Sequence, residues 1–456
     1  MRRHVLIVRF GPLDSADVAV APDEVVTSVD LVASQRRFGY GIGDALDNLK
    51  SLGLFPSEMG FDVLVIAALV HAADTRLSRA TESQDKWTRE IRIVLPVSDK
   101  VRWTAAAPLL KRMLNFLTGD RWSFTFRERP NNFIRIISRP QRLFGTTLFK
   151  GGISLFSGGL DSLIGTVDIL QKGRRPLLVS HAGEGATSDA QRSCIASLKD
   201  YYGKHSFNWL RVWMNFPANL IKDVGNEDTT RGRSFLFIAL AVFAGTGLDG
   251  HFMVNVPENG LIALNVPLDP LRLGSLSTRT THPFYMARWN ELLGVLGVDG
   301  QISNPYWNKT KGEMIAACEN PDLLAQLISK SLSCASPTKG RWHGHGIEHC
   351  GYCVPCLIRR AALNAALGRD NDPTTYTLAD LTARSFDTRQ SEGQQIRSFQ
   401  LAIERLASNA SLANLLIHKP GPLADETPHL PELADVYRRG MAEVAALLAG
   451  VKTRPS

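Results

Sequence analysis

Six consecutive residues between an apolar run and a helix-forming stretch have the composition of a phosphate-binding loop. Glycines at such a junction let backbone N–H groups approach an anion, and the dipole of the following helix favours negative charge there. Serine hydroxyls add donors, and one carboxylate could hold a Mg²⁺ ion that neutralises phosphate charge. A Walker-type loop is excluded because no Gly-Lys-Ser/Thr follows, and an ordinary glycine turn is the simpler alternative. The candidate residues are Ser157, Gly158, Gly159, Leu160, Asp161 and Ser162.

Four of the six cysteines form a second candidate site. Two of the gaps between them are only two residues long, and a longer loop separates the first cysteine from the others. Short gaps of this kind direct successive sulfurs to one ion, and four thiolates are the ligand set of a closed, tetrahedral structural zinc site. The predicted Zn²⁺ ligands are Cys334, Cys350, Cys353 and Cys356.

Other interpretations of the cysteine cluster stay open. Three histidines of the same segment could replace a cysteine as a ligand: His343, His345 and His349. The thiols could also be free or paired, although a disulfide is not expected in a protein without a secretion signal. A redox-active or persulfide-carrying pair, as in some tRNA thiolases, is the chemically sharper alternative. The other two cysteines, Cys194 and Cys318, lie in apolar, helix-like settings and are expected in the core.

The composition is that of a globular protein of two or three domains, with 456 residues of which 44% are hydrophobic and 21% charged. A formal net charge of +8 suits acidic partners such as nucleotides. A nucleic-acid partner is less well supported, because no long run of Lys or Arg is present. The apolar stretches are too short to span a bilayer or to form a signal-peptide core, so we expect a cytoplasmic protein without a membrane partner.

The elements around these motifs define four predicted regions. Residues 1–150 are predicted to form an N-terminal α+β domain, which no motif connects to a particular chemistry. Its expected strands are Val5–Phe10, Ile91–Val97, Trp122–Arg127 and Phe133–Ser138. Its expected helices are Phe61–Ala73 and Ala105–Leu117. Residues 331–368 are predicted to form the zinc-binding segment, and residues 369–456 a helical C-terminal extension.

Residues 151–330 alternate between strands and helices, which predicts an α/β fold with a doubly wound parallel sheet. The expected strands are Ile153–Phe156, Leu177–Ser180, Leu210–Met214 and Phe252–Val256. Ligands of such sheets bind beyond the carboxyl ends of the strands, which is where the glycine loop falls.

The motifs together resemble a known family. The loop matches the SGGxDS signature of the PP-loop ATP pyrophosphatases, and with the cysteine cluster it resembles the 7-cyano-7-deazaguanine synthases, the QueC family. Two further segments are similar to that family: Gly232–Phe237, which opens an apolar helix, and Pro305–Glu313, which carries Lys311. Arg359, three residues after the last cysteine of the cluster, also matches. The resemblance covers residues 151–368, about half of the chain.

The resemblance implies an adenine nucleotide alpha-hydrolase-like fold and a defined chemistry. Enzymes of this kind split ATP into AMP and pyrophosphate, adenylate an acid, and let a nitrogen nucleophile displace AMP. It implies that Asp161 holds Mg²⁺ with the ATP phosphates. It also implies that Lys311 and Arg233 neutralise phosphate charge, with Arg231 and Lys309 as secondary candidates. His181 falls where the family places a nucleotide- or substrate-facing segment, and a loop histidine is its plain alternative.

Two departures from the family alter the expected product. The segment after the second strand reads His181 to Gly185, where the family carries Asp-Tyr-Gly-Gln. The family's pocket-building Tyr-Pro-Asp-Cys segment is also missing, and the nearest candidates here are Glu258 and Asn259. Those two could read a purine-like edge by hydrogen bonding, or they could simply begin an Asn-Gly turn. ATP use is therefore expected, whereas the usual nitrile product is not assured.

The length of the chain is a third departure, and it resembles that of the QueC-like proteins of the bacterial Qat anti-phage defence system. We therefore expect an ATP-dependent C–N ligase acting on a carboxylated, deazapurine-like acid, with ammonia or an amine as nucleophile. A partner protein of a defence operon could supply that amine, presented by residues 1–150; the alternative is that this region only stabilises the fold or mediates oligomerisation. Two other functions remain open: a tRNA base-modifying enzyme and a catalytically idle scaffold.

Overall fold

The computed structural model describes residues 2–32, 37–83, 85–138, 149, 152–183, 185–228, 231–269, 279–338, 344, 346–369 and 371–454. Two parallel sheets lie on either side of a layer of helices, and a helical C-terminal region packs beside the second sheet. The protein is therefore an α/β protein with two parallel sheets, and the four predicted strands of its second sheet are confirmed.

The first sheet contains four strands in the order β2-β1-β3-β4, and all of its neighbours are parallel. Its strands are β1 (Arg3–Arg9), β2 (Glu24–Asp30), β3 (Glu90–Val97) and β4 (Arg121–Glu128). Its helices are α1 (Ile42–Ser51), α2 (Glu58–Arg76), α3 (Arg79–Glu82) and α4 (Lys100–Thr118). The prediction of an α+β domain is therefore wrong. The helices cross over between parallel strands, because strands in one direction need such connections.

The predicted strand Phe133–Ser138 is also wrong. A short 3₁₀ turn covers Asn131–Phe133, and the backbone that follows gives its N–H groups to a side chain instead of to a neighbouring strand. The Oε1 atom of Glu58 accepts hydrogen bonds from the N–H groups of Ile136 and Ile137, at 2.8 and 2.9 Å. A carboxylate on α2 thus takes the donors that a sheet ladder would need.

The second sheet has the strand order β7-β6-β5-β8-β9 and is parallel throughout. Its strands are β5 (Ile153–Leu155), β6 (Leu177–His181), β7 (Asn208–Val212), β8 (Phe252–Asn255) and β9 (Gly300–Ser303). The chain starts in the middle at β5, builds outwards to β7, then returns to the other side of β5 for β8 and β9. This reversal makes a switch point between β5 and β8, where the carboxyl ends of two neighbouring strands diverge.

One hydrophobic core joins the two sheets, so residues 1–150 do not fold around a core of their own. Helix α2 packs on the first sheet with one side and on α7 (Arg233–Gly245) with the other, and α7 packs on the second sheet. Both helices are apolar on nearly all faces, as expected for helices enclosed between layers. The other helices of this part are α5 (Leu160–Gln171), α6 (Ala186–Tyr202), α7 (Arg233–Gly245), α8 (Gly260–Leu264) and α9 (Pro283–Val295).

The C-terminal region is mainly helical, as predicted, and builds a second core with α8. Before this region, α10 (Lys311–Ala316) and α11 (Pro321–Leu327) pack against α5. The helices from the cysteine segment to the C-terminus are α12 (Val354–Leu367), α13 (Ser391–Ser408), α14 (Leu412–Leu416) and α15 (Leu430–Leu447). Two short parallel strands, β10 (Phe386–Asp387) and β11 (Thr453–Arg454), pair beside them. Within the described ranges, none of the helices combines the length and the apolar run needed to cross a membrane.

Candidate functional site

The glycine loop lies at the switch point, between the end of β5 and the start of α5. Gly158 has φ +83°, a left-handed conformation that favours glycine, and a Cβ there would lie 3.1 Å from Gln191. Gly159 precedes the first turn of α5 and has no side chain with which to cap it. The backbone at the start of α5 can therefore approach a ligand closely, as the loop's composition predicts.

Three backbone N–H groups of the loop donate long hydrogen bonds to serine hydroxyls, two of them within the loop and one at Ser333. The N–H of Gly159 donates to Ser157 Oγ at 3.2 Å, and the N–H of Ser157 donates to Ser162 Oγ at 3.2 Å. The N–H of Leu160 donates to Ser333 Oγ at 3.4 Å. All three acceptors are neutral hydroxyls at the long end of the hydrogen-bond range, so phosphate oxygens, which are charged acceptors, could replace them with a gain in energy.

Asp161 and Lys311, two predicted catalytic residues, contact each other. Lys311 Nζ lies 2.7 Å from Asp161 Oδ1, and both side chains are almost entirely buried. The second oxygen of Asp161 accepts a hydrogen bond from Asn259 Nδ2 at 2.7 Å. Thr310 positions the lysine, because its side chain caps α10 and forms a capping box with Glu313. Lys311 thus neutralises Asp161 in this structure.

The side chain of Asn259 forms its hydrogen bonds within the protein, which bears on the hypothesis that it reads the edge of a purine-like ligand. Its Oδ1 accepts a hydrogen bond from the N–H of Ile262 and caps α8, while its amide group donates to Asp161. The residue is fully buried. Asn259 therefore supports the loop rather than reading the edge of a ligand.

A cavity of about 400 Å³ opens at the carboxyl edge of the second sheet and brings most of the other predicted residues together. The loop serines Ser157 and Ser162 line one side of it, and His181, Arg233 and Glu258 line the rest. Asp161 and Lys311 are not among its lining residues. The arrangement combines hydroxyl donors, two arginines and a single carboxylate around one space of ligand size.

Two arginines give this cavity its charge. Arg233 is the first residue of α7 and lines the cavity with Arg231, whose buried Nη2 atom has no hydrogen-bond partner among the described residues. Burial lowers the pKa of Arg233, and burial, with Arg79 nearby, lowers that of Arg231 to about 10. Both stay cationic at neutral pH. Two half-buried guanidinium groups beside one cavity favour the binding of an anion.

His181 lies on the cavity wall as a neutral imidazole. Burial, together with the neighbouring His71 and Arg233, lowers its pKa to about 3. Neither ring nitrogen has a hydrogen-bond partner among the described residues. The residue is buried, with 5% of its surface exposed. Its neighbour is the ring of His71 from α2, with the two centroids 5.4 Å apart. A neutral imidazole without partners can donate one hydrogen bond to a bound heterocycle through its N–H and accept another from it at the second ring nitrogen.

Glu258 is the only carboxylate among the residues that line the cavity. Desolvation, with the charge of Asp161 nearby, raises the pKa of Glu258 to about 7. Thr281 donates its hydroxyl to Glu258, which opposes that rise. Near neutral pH this group is present in both protonation states and can match either a donor or an acceptor on a ligand.

The four cysteines of the predicted zinc site converge. Their sulfurs all lie within 4.8 Å of one another, with Cys334 to Cys353 and Cys350 to Cys356 at 3.9 Å. A tetrahedral site with Zn–S bonds of about 2.3 Å has S–S edges of about 3.8 Å, so the cluster could hold Zn²⁺. The N–H of Cys350 also donates to Cys334 Sγ at 3.3 Å, which orients the sulfur and favours its thiolate.

Of the three histidines considered as alternative metal ligands, the structure describes His349 only. His349 is buried, and its Nε2 accepts a hydrogen bond from the N–H of Ser333 at 3.1 Å, so that nitrogen is occupied. His343 and His345 lie outside the described residues. The predictions for Cys194 and Cys318 are confirmed, since both are buried and burial raises the pKa of each thiol to about 12.

The cysteine segment is directly connected to the glycine loop. The N–H of Leu332 donates to the carbonyl of Gly158 at 2.9 Å, and Ser333 accepts from the loop as described above. Arg359, fully buried on α12, donates to Ser331 Oγ at 2.9 Å and to the carbonyl of Ile328 at 2.7 Å. Arg359 therefore holds the strand-like segment that supports the loop, rather than facing a ligand.

A second cavity of about 410 Å³ lies between the cysteine cluster and the C-terminal helices. Its walls are mainly apolar, and no charged side chain is among its lining residues. A polyphosphate needs cations, and of these two cavities only the one at the glycine loop is lined by arginines. The first cavity is therefore the candidate nucleotide site.

Three side chains near the site have no sequence motif that would have identified them. His71, Asp74 and Trp87 come from residues 1–150 and reach the segment around Arg233. Glu184, which belongs to the departing segment after β6, lies outside the described residues. No family model, curated protein or solved structure matches the chain. Its function must therefore be inferred from the site itself.

Proposed function

We propose that this protein is an ATP-dependent C–N ligase of the PP-loop type that adenylates a carboxylated, deazapurine-like acid. The observation that supports it most is the cavity at the switch point, which is lined by the loop serines Ser157 and Ser162 together with Arg231 and Arg233. Hydroxyl donors and two arginines in one cavity, next to the N-terminus of α5, suit a polyphosphate. The resemblance of the loop and of three further motifs to the QueC family points the same way.

Each residue has a chemical part in this proposal. The N–H groups of Gly159 and Leu160 would bind phosphate oxygens in place of the serine hydroxyls. Arg233 would stabilise the charge that develops as pyrophosphate leaves. Asp161 would be the carboxylate ligand of the Mg²⁺ that accompanies ATP, and this ion would supply charge neutralisation at the phosphates. Lys311 would then be free to turn from Asp161 to a phosphate.

The reaction has two steps. In the first, a carboxylate oxygen of the acid attacks the α-phosphorus, the bond to the bridging oxygen breaks, and pyrophosphate leaves. In the second, ammonia or an amine attacks the acyl carbon, AMP leaves with the former carboxylate oxygen, and the nitrogen loses a proton. Adenylation is needed because AMP is a far better leaving group than hydroxide. The amine of a partner protein is one candidate nucleophile.

Two side chains could recognise the acid. Glu258 is partly protonated near pH 7 and could pair with the donor-rich edge of a guanine-like ring. His181 lines the same cavity, and neither of its buried ring nitrogens has a hydrogen-bond partner among the described residues. Zn²⁺ on the four cysteines would be structural, because its ligand set is closed and Leu332 transmits its position to the loop.

The first test is product analysis. Purified protein with MgATP and a 7-carboxy-7-deazaguanine-type acid is expected to release AMP and pyrophosphate, resolved by chromatography, and to form an amide when ammonia is present. ADP and phosphate as products would contradict the proposal.

The variant Asp161→Asn is expected to abolish turnover, but it also leaves Lys311 buried without a counter-charge, which costs about 3–5 kcal/mol. The double variant Asp161→Asn with Lys311→Met removes both charges and is the matched control for folding. We expect it to recover stability and not activity. Turnover by the double variant at the wild-type rate would refute the proposed use of this pair.

A further inference from the structure

Helix α2, in the N-terminal part of the chain, contacts the segment that carries the cavity arginines. The carboxylate of Asp74 accepts hydrogen bonds from the N–H groups of Arg231 and Gly232, both at 2.6 Å. These residues immediately precede Arg233, the first residue of α7. Asp74 is fully buried, so water does not compete for these bonds. A side chain from the first 150 residues therefore fixes the backbone from which Arg233 projects.

Asp74 is itself held by a buried, charge-balanced network. Its other oxygen pairs with Arg89 at 2.8 Å and with Arg79 at 3.5 Å. Both arginines also pair with Asp120, at 2.7 and 2.8 Å. Two carboxylates and two guanidinium groups thus neutralise each other away from water. Because each oxygen of Asp74 has its own set of donors, the carboxylate can take only one orientation.

Two further contacts come from the same region. The guanidinium of Arg231 lies over the ring of Trp87, with its central carbon 4.0 Å from the ring centroid. Gly232 approaches α2 so closely that a Cβ would lie 3.2 Å from Asp74 Oδ2. The backbone and the side chain of the arginine segment are therefore both held by residues 1–150.

We propose that Asp74 is a positioning residue for Arg231 and Arg233, with Trp87 orienting Arg231, and that the N-terminal region is in this way part of the anion site. The identity of the anion rests on the proposed function, whereas the positioning itself does not. Without Asp74 the N–H groups before α7 lose their acceptor, and the two arginines lose their fixed approach to the cavity.

The chain offers a matched control on the same helix. Asp62 of α2 is also buried and is also paired with an arginine, Arg129, but its partners are far from the cavity. It accepts hydrogen bonds from the N–H of Ser98 at 2.7 Å and from Trp103 Nε1 at 3.0 Å. The variants Asp74→Asn and Asp62→Asn each remove one buried negative charge from α2. In Asp74→Asn, the amide NH₂ must face either Arg89 or the two backbone donors.

The first measurement is hydrogen–deuterium exchange of a peptide that begins several residues before Arg231 and includes Arg231 and Gly232, in the full-length protein without ligand. Asp74→Asn is expected to speed exchange of the Arg231 and Gly232 amides, and Asp62→Asn is expected to leave them as in the wild type. Unchanged exchange in Asp74→Asn would overturn the positioning proposal. This measurement does not depend on any catalytic activity.

The second measurement is calorimetric binding of inorganic pyrophosphate with Mg²⁺. We expect Asp74→Asn to bind about tenfold more weakly than the wild type, and Asp62→Asn to bind within about twofold of it. Equal weakening by both variants would show a merely structural effect and overturn the proposal. If the wild type does not bind pyrophosphate, the proposed function fails, and exchange at Arg231 and Gly232 still decides whether Asp74 positions this segment.

A second pair of variants covers the case in which Asp74→Asn does not fold. Trp87 is half-buried, so Trp87→Leu should be tolerated while it removes the aromatic face beneath Arg231. Trp87→Phe keeps an aromatic face. Weaker pyrophosphate binding in Trp87→Leu and recovery in Trp87→Phe would support the proposal. Equal binding by Trp87→Leu and the wild type would contradict the part assigned to Trp87.

Discussion

Replacing Glu258 by Gln should stabilise the protein at alkaline pH and leave it nearly unchanged at acidic pH. The carboxyl of Glu258 has a pKa of about 7 in the folded protein against an ordinary value of 4.5, chiefly because the cavity wall desolvates it. The folded state therefore prefers the protonated form. Ionising this group costs stability as the pH rises from 4.5, and the cost is complete above about pH 7.

The size of the effect follows from the two pKa values. A tenfold change in an equilibrium constant corresponds to about 1.4 kcal/mol, so the full cost is about 3 kcal/mol at pH 8 and less than about 1 kcal/mol at pH 5. Glutamine has nearly the same shape and keeps an oxygen that can accept the hydroxyl of Thr281. Glu258→Gln should thus raise the free energy of unfolding by about 3 kcal/mol at pH 8 only.

The assay is chemical denaturation of ligand-free wild-type and variant proteins at pH 5 and pH 8. The comparison between the two proteins removes the contributions of other titrating groups, such as His71 and His181, because both proteins contain them. Glu319→Gln is the control, since Glu319 is exposed and forms a surface ion pair with Lys172, and it should change stability by less than about 1 kcal/mol at either pH. An equal effect of Glu258→Gln at both pH values would refute the reasoning.

Two further predictions concern the metal cluster and a close contact beside the loop. Cys353→Ser should lose stoichiometric Zn²⁺ in metal analysis and lower the melting temperature, because a structural metal contributes folding free energy, whereas Cys318→Ser should keep the metal. Gly260→Ala should destabilise the protein by about 1–3 kcal/mol in denaturation, since its Cβ would lie 2.2 Å from the carbonyl oxygen of Trp307. Gly294→Ala, in an open helical position, should be neutral or stabilising, and equal losses in the two glycine variants would contradict this account.

The parts of the fold that could be predicted from the sequence are those with local signals. The strand–loop–helix around Ser157 has a strongly apolar strand, two glycines and an amphipathic helix in one stretch of chain. The cysteine cluster has its spacing. By contrast, β2 and β9 each bury a single residue: Val29 in β2, and Ile302 in β9, which reads Gly-Gln-Ile-Ser. A strand with so few apolar residues can be recognised only from its pairing with β8 in the structure.

The N-terminal region shows a second limit of prediction from the sequence, which concerns how strands pair. Alternating strands and helices occur there too, but the prediction gave Phe133–Ser138 the place of a strand and passed over β2. Only the pairing registers of β1 with β2 and β3 show that the sheet is parallel. The apolar character of α2 on every face was the one sequence sign that this helix lies between two layers rather than on a surface.

The candidate site combines three parts of the chain that the sequence presents as separate. The cysteine segment contacts the loop through Leu332, the turn after β8 holds Asp161 through Asn259, and α2 holds the arginine segment through Asp74. In each case the contact is a hydrogen bond to a backbone group or a carboxylate at the switch point. Donors and cations held in this way need little rearrangement when an anion binds, and that preorganisation is what electrostatic stabilisation of a leaving pyrophosphate requires. Because each contact comes from a different region, we expect damage to any one region to weaken the same site.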